Sequence, residues 1–168
     1  MSELSILTLA RPSDSREIAE MSRDIIEHGL SWAWTPARVQ HSITAPDSSV
    51  VVARRNLRLG GRYGDARHVG VDGFAIMQFG DDEAHLNLLG VAPEHRRQGL
   101  GRQLMDWLTA TAIEAGVFQI NLELRAGNLA ARAFYNKLGY DELGEIKGYY
   151  QGREAALRMV RRFAKIPR

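Results

Sequence analysis

One stretch, LNLLGVAPEHRRQGLGRQLMDWLTATAIEA from Leu86 to Ala115, restricts what this chain can fold into more than any other. Leu86, Leu88, Leu89 and Val91 form an apolar run closed by Pro93, which predicts a buried strand. Leu100, Leu104, Trp107, Leu108 and Ala112 then recur at helical spacing, which predicts an amphipathic helix with these residues inward. Strand and helix are joined by EHRRQGLG.

That joint suits an anion. Gly99 and Gly101 remove side chains where the chain turns into the helix, so successive amides can face a phosphate beside the positive end of the helix dipole. Arg96 and Arg97 bring guanidinium groups to the same turn. The plainer alternative is a loop with two solvated arginines and a glycine-rich helix start. Two familiar phosphate loops are excluded. Gly101 is followed by Arg102 and Gln103 rather than Lys-Ser/Thr, and Leu104 stands where a dinucleotide fingerprint needs its third glycine.

With 168 residues, 45% of them hydrophobic, the expected organisation is one domain over residues 1–168. The absence of cysteine excludes disulfides, thiolate metal sites and a covalent cysteine intermediate. No apolar run approaches the roughly 18 residues of a membrane span and no signal-like start is present, so a cytoplasmic protein without membrane contact is expected. A net charge of +2 is too small to argue for nucleic acid. Local clusters remain, Arg54, Arg55, Arg58, Arg62 and Arg67 around one glycine-rich turn, and Arg158, Arg161, Arg162, Lys165 and Arg168 near the end. Solubility or cofactor steering accounts for them better than a specific nucleic-acid surface, since they do not interleave with aromatics.

The remaining chain reads as alternating elements. Ser5–Ala10 is a short strand, and Asp14 or Ser15 caps a helix reaching about His28 with Ile18, Met21, Ile25 and Ile26 inward. Thr35 caps a second helix that starts with Pro36. Strands are predicted at Ser49–Arg54, Val69–Gly80, Ala84–Val91 and Val117–Arg125, with Arg55–His68 as a long hairpin connection. Asn128 caps a further helix with Leu129, Ala133, Phe134 and Leu138 inward. Tyr140–Ile146 and Glu154–Val160 are the last strands, joined by a GYYQGR loop.

Several residues could carry chemistry. Leu122 and Leu124 alternate with Asn121, Glu123 and Arg125, so Glu123 must face solvent, a partner or a cleft. A structural salt bridge from Glu123 to Arg125 or a neighbour is the competing reading. Trp32 and Trp34 on one loop, and Tyr149 and Tyr150 on another, are candidate walls for a substrate amine, although large aromatics also serve as loop anchors. His28, His41, His68, His85 and His95 lack metal-ligand spacing and read as surface or capping residues, so no metal is expected.

With these residues in place, the chain resembles the Gcn5-related N-acetyltransferase (GNAT) superfamily. Arg96-x-x-Gly99-x-Gly101 after Val91-Ala92-Pro93 is similar to its pyrophosphate motif, and Asn128 through Ala131, Phe134-Tyr135 and Leu138-Gly139-Tyr140 to its second cofactor segment. A narrower resemblance, over roughly Ala84 to Val160, is to the RimI-like enzymes that acetylate the N-terminal alanine of ribosomal protein S18. It departs at Gly152-Arg153-Glu154-Ala155, where those enzymes tend to have Gly-Arg-Glu-Asp, and over the N-terminal half.

The resemblance implies an α/β fold, mixed α+β, with a central, mostly antiparallel twisted sheet flanked by helices. It implies acetyl-CoA as cofactor and CoA as product, contacted by Leu89, Val91, Arg96, Arg97, Gln98, Gly99, Leu100, Gly101, Arg102, Asn128, Ala131 and Tyr135. Glu123 takes the place of the proposed base and Tyr135 that of the proposed acid, while Trp32, Trp34, Glu123, Tyr149 and Tyr150 would meet the acceptor. The acceptor is a protein N-terminus or a small amine, and a homodimer is left open. A CoA-binding regulator without turnover is the reading from a different class, which Glu123 and Tyr135 together argue against.

Overall fold

The computed structural model describes residues 5–55 and 70–164, with Arg55 described by its backbone alone. The predicted hairpin connection, including Arg58, Arg62, Arg67 and His68, and the terminal Lys165 and Arg168 lie outside the described residues. Strands are β1 (Ser5–Leu9), β2 (Ser48–Arg55), β3 (Gly73–Phe79), β4 (Glu83–Val91), β5 (Gln119–Arg125), β6 (Asp141–Tyr150) and β7 (Glu154–Arg162). Helices are α1 (Ser15–Met21), α2 (Pro36–Thr44), α3 (Leu100–Glu114) and α4 (Leu129–Lys137). The strands order β1-β2-β3-β4-β5-β7-β6. β1 with β2, β5 with β7 and β6 with β7 pair antiparallel, whereas β4 and β5 pair in parallel from Glu83 opposite Gln119 to His85 opposite Asn121. The fold is therefore mixed α/β with a mostly antiparallel sheet, as expected.

The chain divides into two compact units, Met1–Ile76 with Leu88–Asp106, and Met77–Asn87 with Trp107–Arg168. In the first unit, Ile18, Ala19 and Val39 of α1 and α2 pack with Val50, Val52, Phe74, Ile76 and Leu88 of β2, β3 and β4. β-branched residues suit the pleated side of this core, and amphipathic spacing supplies the helical side. β3 is buried on both faces from Gly73 to Met77. A Cβ at Gly73 would lie 3.2 Å from the Gly90 carbonyl oxygen and from Leu104, so β3 admits the start of α3 only because that side chain is missing. In the second unit, Ile120, Leu122, Leu124, Leu157, Met159 and Val160 are buried.

Several elements differ from expectation. The first helix passes into a π segment at Ser22–Ile26. There the buried Glu27 carboxylate accepts from Ser22 Oγ at 2.8 Å, Ala33 N at 2.8 Å and Trp34 N at 3.1 Å, so one side chain ties the helix end to the following loop. On α4, the predicted inner residues Leu129 and Ala133 are exposed and Tyr135 is buried instead, because the aromatic trio Phe134, Tyr135 and Tyr140 stacks edge to face at 5.0 and 5.5 Å. The last hairpin is tighter than predicted. Tyr149 and Tyr150 belong to β6, Tyr150 pairs with Glu154, and the turn is Gln151–Arg153. Register shifts between Glu142 and Gly144 and between Ile146 and Tyr150 interrupt the regular pairing with β7, and the strand nevertheless continues to Tyr150.

On α3, Leu100, Leu104, Leu108 and Ala112 are buried as predicted, but Trp107 is 37% exposed and Met105 takes the expected inner place. Among the described residues, no helix is long and apolar enough to cross a membrane.

Candidate active site

The phosphate turn lies in the first unit. β4 ends at Val91, a single 3-10 turn covers Pro93–His95, and α3 begins at Leu100. Between them the backbone is left-handed twice, at Arg97 (φ 61°) and at Gly99 (φ 78°). Gln103 N donates to the Gly99 carbonyl at 3.0 Å, which starts the helix and leaves the amides of Leu100, Gly101 and Arg102 without intrahelical acceptors. A Cβ at Gly99 would meet no atom within 4 Å. Arg96 Nε donates to the Val91 carbonyl at 3.2 Å, tying one guanidinium to the strand end, and Arg97 and Gln98 are exposed beside it. The first turn of α3 carries no acidic residue. Amide donors, a helix dipole, guanidinium groups and open space at Gly99, with no acidic residue in the first turn of α3, fit the diphosphate of CoA.

The turn is braced from within. His95, expected at the surface, is 8% exposed and pairs through Nε2 with Asp72 Oδ1 at 3.1 Å, while Ala92 N donates to the Asp72 carbonyl at 2.9 Å. A carboxylate just before β3 thereby fixes the chain just before the anion turn. Leu89 and Val91 are half-buried, alternating along β4 with the buried Leu88 and Gly90.

In the same unit, Trp32 and Trp34 are both engaged. Trp32 Nε1 donates to the Ala19 carbonyl at 3.1 Å and Arg23 lies 5.2 Å from its ring, while Arg38 covers the ring of Trp34 at 4.0 Å. Both rings are thus loop anchors, with Trp32 also 36% exposed. Thr35 caps α2 as predicted, accepting from Arg38 N at 3.4 Å.

The second unit holds Glu123. β5 turns Ile120, Leu122 and Leu124 into the core and Gln119, Asn121, Glu123 and Arg125 to the other face. Across the strand pairs, Glu123 stands opposite Arg158, whose Nε donates to Oε1 at 3.2 Å. The second oxygen, Oε2, meets His85 Nε2 at 2.5 Å, and His85 Nδ1 meets Asn87 Oδ1 at 2.7 Å. Glu123 is therefore held by His85 and Arg158, while Arg125 reaches Glu154 Oε1 at 3.4 Å. The His85 hydrogen bond, more than the Arg158 charge, holds the Glu123 carboxyl below its ordinary range. The same bond raises the His85 imidazolium above its ordinary range against the cost of burial. His85, read from sequence as a surface residue, and Arg158, read as part of a solubility cluster, were both missed. The alternation of His85 and Asn87 with Ala84, Leu86 and Leu88 was the available signal, but only the pairing of β4 with β5 brings them to Glu123.

Tyr149 and Tyr150 meet edge to face at 4.9 Å, and Arg125 lies 5.9 Å from the Tyr150 ring. Burial first, then Tyr149 and the Glu123 charge, push the Tyr150 phenol up to about 12. On α4, Asn128 Oδ1 accepts from Ala131 N at 3.1 Å, so Asn128 caps the helix. Burial raises the Tyr135 phenol, which keeps it protonated throughout the neutral range.

Among the described residues, no group of three or more His, Asp and Glu is arranged to hold a metal ion. Residues 18–140 match the acetyltransferase (GNAT) family. The chain is 44% identical over 90 residues to the [ribosomal protein bS18]-alanine N-acetyltransferase of Escherichia coli K12, a match covering 52% of this chain and 61% of that relative. The crystal structure of the ribosomal-protein-S18-alanine N-acetyltransferase from Escherichia coli superimposes with a TM-score of 0.76 at 25% identity, covering 98% of this chain and 97% of that one. An aminoglycoside 6'-N-acetyltransferase complexed with coenzyme A shares the fold alone, with a TM-score of 0.71 at 16% identity over 97% of this chain and 99% of that one. On the span of the family match, which takes in the anion turn, Glu123 and Tyr135, the chain belongs to the acetyltransferase (GNAT) family.

Proposed function

We propose that this chain transfers the acetyl group of acetyl-CoA directly to a primary amine, and that the acceptor is a protein N-terminal α-amine of the ribosomal S18 type. The observation that carries the acceptor class is the 44% identity to the bS18-alanine acetyltransferase, in a match that covers 61% of that relative's length. Acetyl-CoA, when bound, supplies an acetyl group activated as a thioester.

The residues divide the work by chemistry. Amides of Leu100, Gly101 and Arg102, with Arg96, Arg97 and Gln98, hold the diphosphate at the left-handed Gly99. Leu89 and Val91 offer backbone groups at the end of β4, and Asn128 and Ala131 do so at the start of α4. Glu123 anchors the end of the site where the ammonium gives up its proton, since only the free amine has a lone pair for attack. Tyr135 holds a proton on its phenol oxygen, available to the departing thiolate. Of the aromatic residues proposed to meet the acceptor, Trp32 and Trp34 also anchor their own loop, and Tyr149 and Tyr150 meet edge to face.

An acceptor panel with labelled acetyl-CoA tests this reading. Peptides beginning with alanine are expected to give rapid CoA release and an acetylated N-terminus. Turnover confined to aminoglycosides, polyamines or free amino acids overturns the acceptor class, and CoA binding without release on any amine overturns the enzyme.

A further inference from the structure

We propose that His85 is the proton-accepting residue of this site and that Glu123 is the positioning residue that orients it. The proposal rests on the acyl-transfer reading above and deepens it. Its basis is a division of labour in the pair. The Glu123 side chain is only 9% exposed, with Oε1 taken by Arg158 at 3.2 Å and Oε2 by His85 at 2.5 Å, whereas the His85 side chain is 42% exposed. A carboxylate with one oxygen engaged by a guanidinium and the other by an imidazole N–H has little basicity left for an ammonium. The imidazole is the member of the pair that can meet one.

The strand places it suitably. β4 turns Ala84 and Leu86 inward, so His85 and Asn87 stand on the opposite face of the strand, the face that meets Glu123. Among the described residues, the titratable and charged groups facing the imidazole are Glu123 from β5 and Arg158 from β7, with Tyr149 and Tyr150 from β6 sensing the Glu123 charge. Glu83, next on the same face of β4, is occupied by Gln119 Nε2 at 2.8 Å and Asn121 Nδ2 at 3.1 Å.

The proton inventory closes. In neutral His85, Nε2–H donates to Glu123 and Nδ1 carries the lone pair. The acceptor ammonium takes the place of Asn87 at Nδ1; its N–H bond breaks, the electron pair stays on the amine nitrogen, and the proton bonds to Nδ1. The resulting imidazolium can donate from both nitrogens, to Glu123 Oε2 and to Asn87 Oδ1, the two oxygens that lie at 2.5 and 2.7 Å from Nε2 and Nδ1. Water then removes the Nδ1 proton and resets the pair.

The test couples the pH dependence of acetyl transfer to an alanine-starting peptide with an NMR titration of the His85 ring in the intact protein. Wild type is expected to lose kcat below the raised titration midpoint of His85. H85Q should lower kcat by about 100-fold or more, abolish that acid limb and leave CoA affinity in place. E123Q should move both the NMR midpoint and the kinetic limb to lower pH, because the group that raises His85 is gone. An H85Q enzyme with wild-type kcat and an unchanged acid limb overturns the role of His85. A His85 ring that titrates at the same pH in wild type and in E123Q overturns the orienting role and needs no active variant. A wild type inactive on every amine overturns the acyl-transfer reading itself, and so is distinguished from failure of the pair alone.

Discussion

Arg158 and Glu123 are direct partners across the antiparallel β5–β7 ladder, and their side chains meet at 3.2 Å on the polar face of the sheet. Arg158 therefore opposes His85 electrostatically while sharing its carboxylate. Removing the guanidinium relieves a positive neighbour that lowers the imidazolium. Arg158→Met is expected to move the acid limb of the pH–rate profile to higher pH. Its stability cost should be only about 0–1 kcal/mol by urea titration, because the arginine is 47% exposed and solvent screens the pair.

The same pair makes stability depend on pH in a defined direction. Glu123 is lowered on folding, so its contribution is full above the ordinary carboxylate value of 4.5 and is lost as pH falls through the lowered one. His85 is raised, so its contribution is full below the ordinary imidazole value of 6.5 and is lost as pH rises through the raised one. The pair should stabilise most between these two values. Thermal melts of wild type and of the double variant H85Q/E123Q across this range should differ most inside the window, and curves that stay parallel at all pH values would rule the linkage out.

Gly99 is left-handed with open space where a Cβ would sit. Gly99→Ala should therefore cost about 1–2 kcal/mol through backbone strain and not through a clash. A methyl group on the anion side of the turn should also weaken CoA binding by calorimetry, with kcat at saturating cofactor nearly retained. Unchanged CoA affinity would place the diphosphate elsewhere.

Tyr135 is 7% exposed and stacks on Tyr140 at 5.5 Å, so Tyr135→Phe preserves the ring packing and removes only the hydroxyl group. The variant should bind CoA like wild type while kcat drops by about 100-fold or more. Equal loss of CoA affinity would make the phenol a binding group instead.

Glu27 carries the loop that bears both tryptophans. Glu27→Ala leaves the amides of Ala33 and Trp34 without their acceptor and should destabilise the protein by roughly 2–3 kcal/mol in urea titration. Glu27→Gln keeps an acceptor oxygen for those amides and should lose clearly less. Equal losses in the two variants would show that the charge, not the acceptor geometry, holds the loop.

Local grammar determined much of this protein. The strand, the glycine turn and the amphipathic helix from Leu86 to Ala115 are set by neighbours within a few residues, and so are the caps at Thr35 and Asn128. The alternation around Leu122 and Leu124 likewise sent Glu123 to the polar face. What only the tertiary structure decided is who meets whom on that face. His85 and Glu123 are far apart along the chain and become partners because β4 and β5 pair in parallel, a register that neither strand encodes alone. Arg158 joins them through the antiparallel pairing of β7, and Tyr135 replaces Leu129 inside because aromatic stacking outweighs helical periodicity on a short helix. Hydrogen-bond geometry and turn sterics act over a few residues and can be read from sequence, whereas electrostatic partnership depends on distances that exist only once the strands are assembled.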